Sequence, residues 1–475
     1  MAAVTMSKPN FQKQRRKLLK QLAAVPLGAG VSMLGGKEAL AMGCSPNAKS
    51  LVCLFMAGGA DSFNMFVPGS SAGYSEYLDS RGEIAIPESR LLNVSDANQG
   101  AFGFNALLPA LRDLYVEDRL AVIANVGTLI RPTSKSDYLA EQALPEALFA
   151  HNTQQKLWQT GAGIVSGSSS FGWGGAITDH ATTCNGPSAI TPAFSIAGAN
   201  SWLDSINSNY ISLNSSFAVQ RMFGLDNISD WIPPNRLGRV GNTIEDLIAQ
   251  GEATGNAAML RTISNGLDRA TVATASLHTS LQRNTLPQMQ YNSQNKLASQ
   301  LHLVARLIAS REELGMSHQV FFVQMDGFDT HSDQSEREPL LMQDLNEAIG
   351  AFQATIDDIR AADSVTTFTA SDFGRTLTSN GNGTDHGWGG HNFVFGNAVD
   401  GGRIIGDMPS YARVDNPDDA GEDDGSFAGR IIPKISVNQY GATLSSWMGV
   451  DEAALNSALP DLQNFAVRDL GFMKA

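Results

Sequence analysis

The stretch Leu51-Val52-Cys53-Leu54-Phe55-Met56 is a short, continuous run of apolar residues, and it ends sharply at Ala57-Gly58-Gly59-Ala60-Asp61. A run of this length is typical of a strand that is buried on both faces of a parallel sheet. Similar runs recur further along the chain, at residues 120–124, 320–323 and 365–369. The sequence therefore predicts several buried strands of one sheet.

Segments with apolar residues at helical spacing lie between these runs, at residues 104–118, 301–314, 339–362 and 439–448. Strands that alternate with helices favour a parallel α/β arrangement. We therefore predict an α/β fold, a three-layer sandwich around a mainly parallel sheet, as a single domain over residues 48–470. Residues 160–240 are rich in Gly, Ser and Asn and are predicted to form a loop-rich insertion.

The composition of the 475 residues excludes some classes of function. The chain has 33 Lys and Arg against 47 Asp and Glu, which gives a net charge of −14. Such a surface repels phosphate backbones and anionic lipids, so nucleic-acid binding is not expected. Because carboxylates outnumber bases, divalent cations suit this protein better.

The N-terminus has the features of an export signal. Arg15 and Arg16 precede Leu18-Leu19-Lys20, which resembles the twin-arginine motif, and a mildly apolar stretch and Ala39-Leu40-Ala41 follow. Small residues at this spacing are the pattern that signal peptidase cleaves. We expect residues 1–41 to be a twin-arginine-type signal peptide that the twin-arginine machinery recognises. The mature protein is then periplasmic or extracellular and has no permanent membrane span.

Residues capable of chemistry gather where the predicted strands end. Because ligands bind beyond the carboxyl ends of parallel strands, these positions are the first candidates for a site. They are Asp61 and Asn64 after the first strand, Asp329 and His331 after residues 320–323, Asp372 and Arg375 after residues 365–369, and Asp385, His386 and His391 in the next Gly-rich loop.

Each of these motifs alone has an ordinary structural interpretation. Asp372 could cap a helix, Arg375 could pair with it, and Asp385-His386 could be an exposed turn. The same residue types nevertheless close several strands that the fold places side by side. Carboxylate and imidazole groups that converge in this way can bind a divalent cation, such as zinc, calcium or manganese.

Six motifs form distinctive stretches along the chain: L-V-C-L-F-M-A-G-G-A-D-S-F-N-M-F-V-P (51–68), G-F-D-T-H (327–331), S-D-F-G-R-T (371–376), G-T-D-H-G-W-G-G-H (383–391), G-R-I-I-G-D-M-P (402–409) and Q-Y-G-A-T-L-S-S-W-M-G-V (439–450). Together they resemble a bacterial family of unknown function, the domain-of-unknown-function family numbered 1501. The family is sulfatase-like and is placed with the alkaline-phosphatase superfamily. The resemblance implies an α/β sandwich with one or two divalent metals at the strand ends, and cleavage of phosphate or sulfate esters.

The resemblance also suggests roles for individual residues. Asp372 matches a metal-ligating Asp of the superfamily, whereas Phe373 stands where that pattern has a metal-binding His. Either His386 or His391 supplies an imidazole, and either Asp61 or Asn64 the first-strand ligand. The remaining metal candidates are Asp329, His331 and Asp385.

A nucleophile is harder to place by the same comparison. In the family a Ser-His pair commonly precedes a Gln-containing helix, but here Ala150 comes before His151. Thr153, Ser62 or a water molecule held by the metal could replace the missing serine. Alternatively, His151 and Gln155 only hydrogen-bond the loop at 385–391.

Two functions remain open from the sequence. One is an exported metal-dependent hydrolase of a small anionic phosphate or sulfate ester. Arg375 would stabilise the developing charge, with His151 and Thr153 as further catalytic candidates. The other is a non-catalytic exported protein that binds a partner protein or takes part in surface assembly.

Overall fold

The computed structural model describes residues 44–69, 71–163, 171–186, 190–215, 273, 276–286, 290–421 and 427–474. The expected signal peptide, residues 1–41, lies outside the described residues. The chain divides into two units, Met1–Pro46 and Asn47–Ala475, and the elements below all belong to the second unit.

The strands are numbered in chain order: β1 (Lys49–Met56), β2 (Phe66–Pro68), β3 (Leu91–Asp96), β4 (Gly100–Asn105), β5 (Leu120–Gly127), β6 (Ala193–Ser195), β7 (Ile211–Ser212), β8 (His318–Met325), β9 (Val365–Ser371), β10 (Arg375–Ser379), β11 (Thr384–His386), β12 (Gly390–Phe395), β13 (Arg403–Ile405) and β14 (Ile435–Ser436). The helices are α1 (Ser71–Arg81), α2 (Pro109–Val116), α3 (Lys135–Leu139), α4 (His151–Thr160), α5 (Trp173–Asn185), α6 (Lys296–Ala309), α7 (Gln334–Asp358), α8 (Val437–Met448) and α9 (Glu452–Ala458).

One mixed sheet of nine strands forms the centre of the fold, in the order β13-β5-β12-β9-β1-β8-β6-β7, with β14 beside β5. β1 runs parallel to both β8 and β9, and among the described strands of this sheet only β12 runs antiparallel to its neighbours. Two small antiparallel sheets, β2-β4-β3 and β10-β11, lie outside it. The mainly parallel α/β sheet predicted from the sequence is confirmed.

The residues of β1 alternate between two hydrophobic cores on opposite faces of this sheet. Val52 and Leu54 pack with apolar residues of α2, α6 and α7, whereas Leu51 and Phe55 pack with residues of α5, α8 and α9. Burial of each such side chain stabilises the fold by about 1.5–3 kcal/mol. Helices therefore cover both faces, as a three-layer sandwich requires.

Two predicted helices have different limits in the structure. Residues 100–105 form β4, and the helix begins only at Pro109, where a missing N–H costs nothing at a first helical position. α7 begins at Gln334, five residues before the expected start. Its first turn was missed because Gln334 and Glu338 are polar but buried, so that the turn shows no apolar spacing.

The segment predicted as a loop-rich insertion, residues 160–240, contributes to the main sheet within its described part. β6 pairs with β8 and β7 pairs with β6, both in parallel, and α5 packs against one face. Residues 164–170, 187–189 and 216–240 of this segment lie outside the described residues. Among the residues described, no helix has both the length and the apolar character needed to cross a membrane.

Candidate metal centre

Three histidines and one aspartate converge at the carboxyl ends of the central strands. Asp329 and His331 follow β8, His386 ends β11, and His151 is the first residue of α4. The ends of β8, β1 and β9 meet at one edge because these strands are parallel neighbours. The hairpin of β10 and β11 and the start of α4 bring the other two imidazoles to that edge.

The carboxylate of Asp329 lies between the three rings. Its Oδ1 is 3.2 Å from Nε2 of His331 and 3.4 Å from Nε2 of His386, and its Oδ2 is 3.6 Å from Nε2 of His151. One donor atom each of His151, Asp329 and His386 lies within 4.8 Å of the others, a spacing that could hold a metal ion. His331 adjoins this group, because its Nε2 is 2.7 Å from Nε2 of His386.

Each ring is held through its other nitrogen. Nδ1 of His151 is 2.6 Å from Oδ2 of Asp372, and Nδ1 of His331 is 3.1 Å from Oδ1 of Asp385. Nδ1 of His386 donates to the carbonyl oxygen of Phe149 over 2.7 Å. Contacts of this kind fix the orientation of metal-binding imidazoles in other proteins.

Asp372 lies behind His151 and does not join the donor group around Asp329, although the sequence predicted it as a ligand. Its Oδ1 accepts a hydrogen bond from the backbone N–H of Gly58 over 3.1 Å. Its Oδ2 accepts one from Gln155 over 3.0 Å in addition to that of His151. Because both oxygens are occupied by protein donors, Asp372 supports His151.

Arg375 also differs from its predicted role. Its side chain is fully buried, and it donates to the carbonyl oxygens of Gly58 and Gly59 over 2.7 and 2.8 Å. Its Nη2 is 2.5 Å from Oδ1 of Asp329. A guanidinium so completely engaged orients Asp329, and this placement does not provide the direct contact with substrate charge that the sequence analysis expected.

The ring of Phe373 forms an apolar wall of the site. Its centroid lies 4.9 Å from that of His151 and 4.5 Å from that of His386. Gly59 makes room for this ring, since a Cβ there would lie 2.6 Å from the ring and the φ angle is +83°. Gly58 likewise allows the loop after β1 to approach Asp329, whose backbone N would be 2.4 Å from a Cβ.

The electrostatics of the centre follow from these contacts. Burial alone would raise the pKa of Asp329, but the hydrogen bond and charge of Arg375 outweigh it and the pKa is lowered. The hydrogen bond to Asp372 raises the pKa of His151. Burial lowers the pKa of His386. Asp329 is therefore ionised and His386 neutral at neutral pH, the states in which both bind metals.

Asp61 and Asn64 lie in a separate buried network. Asp61 pairs with Arg81 and accepts a hydrogen bond from Gln334, while Asn64 contacts Tyr77, Arg81 and Glu338. Burial and the charge of Asp61 raise the pKa of Glu338 to about 8. With protein partners already in place, neither Asp61 nor Asn64 joins the donor group around Asp329.

His391 and Thr153 also lie apart from that group. His391 is buried against Phe63, its Nδ1 accepts the N–H of Asn125, and burial lowers its pKa to about 3. Thr153 is two residues after His151 in α4, about 200° around the helix axis. Its hydroxyl therefore faces away from the imidazole that enters the centre.

The structure assigns contacts that the sequence did not. Phe149 takes part through its backbone carbonyl, a group that no side-chain pattern reports. Gln155 was expected to act with His151 on the loop at 385–391, and the two residues share a face of the helix because they are four apart. In the structure His151 and Gln155 both contact Oδ2 of Asp372.

The fold and these residues define an α/β protein with a candidate metal centre at the carboxyl edge of its sheet. Residues 242–420 match the sequence model of a family described as "Protein of unknown function (DUF1501)". This match supports the resemblance noted from the motifs of the chain. The matched stretch includes Asp329, His331, Asp372 and His386. It does not include β1 or α4, because both precede residue 242.

Solved structures that match this chain include PsFucS1 sulfatase, Ps i-CgsB and the lipoteichoic acid synthase LtaP. PsFucS1 sulfatase from Pseudoalteromonas sp. is 10% identical with a TM-score of 0.34, and the match covers 99% of this chain and 78% of that chain. Ps i-CgsB is 9% identical with a TM-score of 0.36, and the match covers 88% of this chain and 77% of that chain. The lipoteichoic acid synthase LtaP from Listeria monocytogenes is 7% identical with a TM-score of 0.28, and the match covers 87% of this chain and 82% of that chain.

TM-scores this low carry no argument about activity, and the α/β class rests on the sheet described above. No curated protein matches the sequence.

Proposed function

We propose that this protein is an exported, metal-dependent hydrolase of phosphate or sulfate esters. The observation that carries the proposal is the convergence of His151, Asp329 and His386, with His331 beside them, at the carboxyl edge of the sheet. These side chains come from three separate parts of the chain. Structural histidines do not need such convergence, whereas a metal site does.

The donor set fits a divalent cation, because imidazole nitrogens and a carboxylate oxygen are common ligands of such ions. His151, Asp329 and His386 would hold the ion, with His331 as a fourth donor. A bound divalent cation supplies Lewis-acid polarisation of an ester oxygen. The side chains of Asp329 and His331 are 48% and 42% exposed, so a substrate can reach the centre.

The start of α4 adds an attraction for an anionic substrate. His151 is the first residue of this ten-residue helix, and Ala150 before it provides no side-chain cap. The positive end of the helix dipole therefore lies beside the metal donors, where a phosphate or sulfate group is stabilised. A cation and a helix N-terminus together favour an ester that carries negative charge.

Metal analysis together with turnover tests the proposal. Purified protein should contain close to one divalent metal per chain and hydrolyse p-nitrophenyl phosphate or p-nitrophenyl sulfate. His386→Ala should lose the metal and reduce turnover by at least about 100-fold. His278→Ala is a matched control, since that histidine contacts Gln282 on the surface. Unchanged turnover in His386→Ala would contradict the proposal.

A non-catalytic exported protein is the second candidate, and one observation favours it. Within the described part of the chain, neither of the predicted hydroxyl nucleophiles joins the metal donors. Thr153 faces away, and the hydroxyl of Ser62 instead accepts the N–H of His391 over 2.7 Å. Full metal content without turnover of either ester would favour this binding or assembly function.

Export forms part of the proposal and is supported by the sequence of residues 1–41 alone. The twin-arginine machinery carries proteins that are already folded, so the centre would bind its metal before transport. The partners expected are this machinery and a small anionic ester, or an exported protein if the second function holds.

A further inference from the structure

The hydrogen-bond partners of the three rings determine where their hydrogens lie. The carbonyl oxygen of Phe149 only accepts, so Nδ1 of His386 carries a hydrogen. Asp372 accepts N–H groups from Gly58 and Gln155, so it also accepts from Nδ1 of His151. Asp385 accepts a hydrogen bond from Asn380 and faces Nδ1 of His331. In a neutral imidazole the other nitrogen, Nε2, is then a lone-pair acceptor.

The acceptor atoms face one another, with Nη2 of Arg375 beside Oδ1 of Asp329. Nε2 of His331 and Nε2 of His386 are 2.7 Å apart, although neither carries a hydrogen in these tautomers. Nε2 of His151 is buried and has no hydrogen-bond partner among the described residues. Both oxygens of Asp329 point into the same space. Three imidazole lone pairs and a carboxylate that face one another repel unless a further cation lies among them.

The chemistry of these acceptors indicates which cation they suit. Calcium takes six to eight oxygen ligands, and magnesium prefers an octahedron of oxygens and keeps several waters. Three imidazole nitrogens and one carboxylate are instead suited to zinc, iron or a similar transition metal. The occupied oxygens of Asp372 remove one carboxylate that a calcium site would need.

We propose that this centre selects a transition metal of the zinc or iron type, bound by His151, His331, His386 and Asp329, and that Asp372 and Gln155 are positioning residues that hold His151 in its coordinating orientation. The inference deepens the proposed function and rests on its metal centre. Asp372 thus occupies the sequence position of a ligand and acts instead through the imidazole in front of it.

The arrangement of α4 explains why both positioning residues are needed. His151 and Gln155 are four residues apart and lie on one face of the helix. Both contact Oδ2 of Asp372, at 2.6 and 3.0 Å, while Gly58 holds the other oxygen. An Asn at position 372 has a single oxygen acceptor, so its NH₂ group must face either Nδ1–H of His151 or N–H of Gly58. One of the two contacts is therefore lost.

Titration of the metal-free, full-length mature protein with Co²⁺ tests this proposal, because Co²⁺ reports its ligands through visible absorption. Asp372→Asn should weaken Co²⁺ binding about 10- to 100-fold and alter the spectrum, as expected for the loss of a contact behind a ligand. His151→Ala should alter the spectrum further. Asp96→Asn is the matched control: Asp96 is buried, accepts the backbone N–H groups of Asn98, Gln99 and Ile404, and takes no part in the metal donor group.

If Asp372→Asn does not fold, Gln155→Ala provides the same test at a half-buried position and should weaken Co²⁺ binding in the same direction. Wild-type affinity and spectrum in these variants would overturn the positioning role. Displacement of Co²⁺ by millimolar Ca²⁺ or Mg²⁺ would overturn the metal preference.

The outcomes separate this inference from the proposed function. A protein that binds Co²⁺ as expected but hydrolyses neither ester contradicts the hydrolase alone. A protein that hydrolyses an ester only with Ca²⁺ contradicts the metal preference alone.

Discussion

Replacement of Arg375 by Ala should destabilise the protein more than any other single change around the centre. Arg375 is fully buried and supplies the hydrogen bonds to the carbonyl oxygens of Gly58 and Gly59, besides its contact with Asp329. A buried carbonyl left without a donor costs about 1–3 kcal/mol. Arg375 also donates to the carbonyl oxygens of Thr384 and Phe328 over 2.9 and 3.0 Å. The four carbonyl groups and the lost packing therefore amount to at least about 3–6 kcal/mol of unfolding free energy.

Arg337 offers a matched control, because it donates to the same loop, to Asp329 O over 3.2 Å and Gly327 O over 3.0 Å, but from an exposed position. Arg337→Ala should cost only about 0.5 kcal/mol. Urea unfolding followed by tryptophan fluorescence measures both. With an m-value of about 3 kcal/mol/M, Arg375→Ala should lower the urea midpoint by about 1–2 M. Equal midpoints for Arg375→Ala and Arg337→Ala would refute the reasoning.

Three further changes test the fold and the export signal. Because burial raises the pKa of Glu338 to about 8 from its ordinary value of 4.5, the folded state holds a proton that the unfolded chain releases. Stability should therefore fall as the pH rises from about 4.5 to about 8, and Glu338→Gln should flatten this dependence in thermal melts; identical slopes would contradict it. Gly374→Ala should destabilise by about 2 kcal/mol or more, since its Cβ would lie 2.0 Å from the oxygen of Gly389, whereas Gly350→Ala, which meets only Ala110 at 3.4 Å, should stabilise α7 by about 0.5–1 kcal/mol. Equal urea midpoints for the two glycine variants would count against that packing. Arg15→Lys combined with Arg16→Lys should leave the protein in the cytoplasm in fractionation assays, and unchanged export would remove the localisation.

The sheet could be predicted from the sequence because its strands carry their own signal. Residues 51–56 are apolar throughout, and their alternate side chains enter two different cores. Such a strand must be central and covered on both faces. The start of α7 carried no such signal. Gln334 and Glu338 are buried because they hydrogen-bond Asp61 and Asn64. These contacts exist only in the folded protein, where distant segments of the chain meet.

The centre could be predicted in part for a similar reason. Asp329, His331 and His386 follow strands, and the topology of a parallel sheet brings strand ends together. Spacing along the chain does not reveal which carboxylate faces a cation and which faces another side chain. Asp372, Asp61 and Asp329 all follow a predicted strand, so the sequence does not distinguish them. In the structure Asp372 supports His151 and Asp61 pairs with Arg81.

His151 illustrates the other limit of sequence reasoning. It begins a helix more than 170 residues before Asp329, so no local pattern associates the two. Its approach depends on where α4 packs and on the contact of Gln155 with Asp372. The position of the His151 imidazole is thus determined by tertiary packing, which the spacing of residues along the chain does not reveal.

Anomalous diffraction from crystals of the purified, metal-loaded protein tests the central claim most directly. We expect one peak at the absorption edge of the bound metal, about 2.0–2.2 Å from Nε2 of His151, Nε2 of His386 and an oxygen of Asp329. A peak at Asp61 or His391, or none while the three imidazoles keep their present contacts, would contradict the claim.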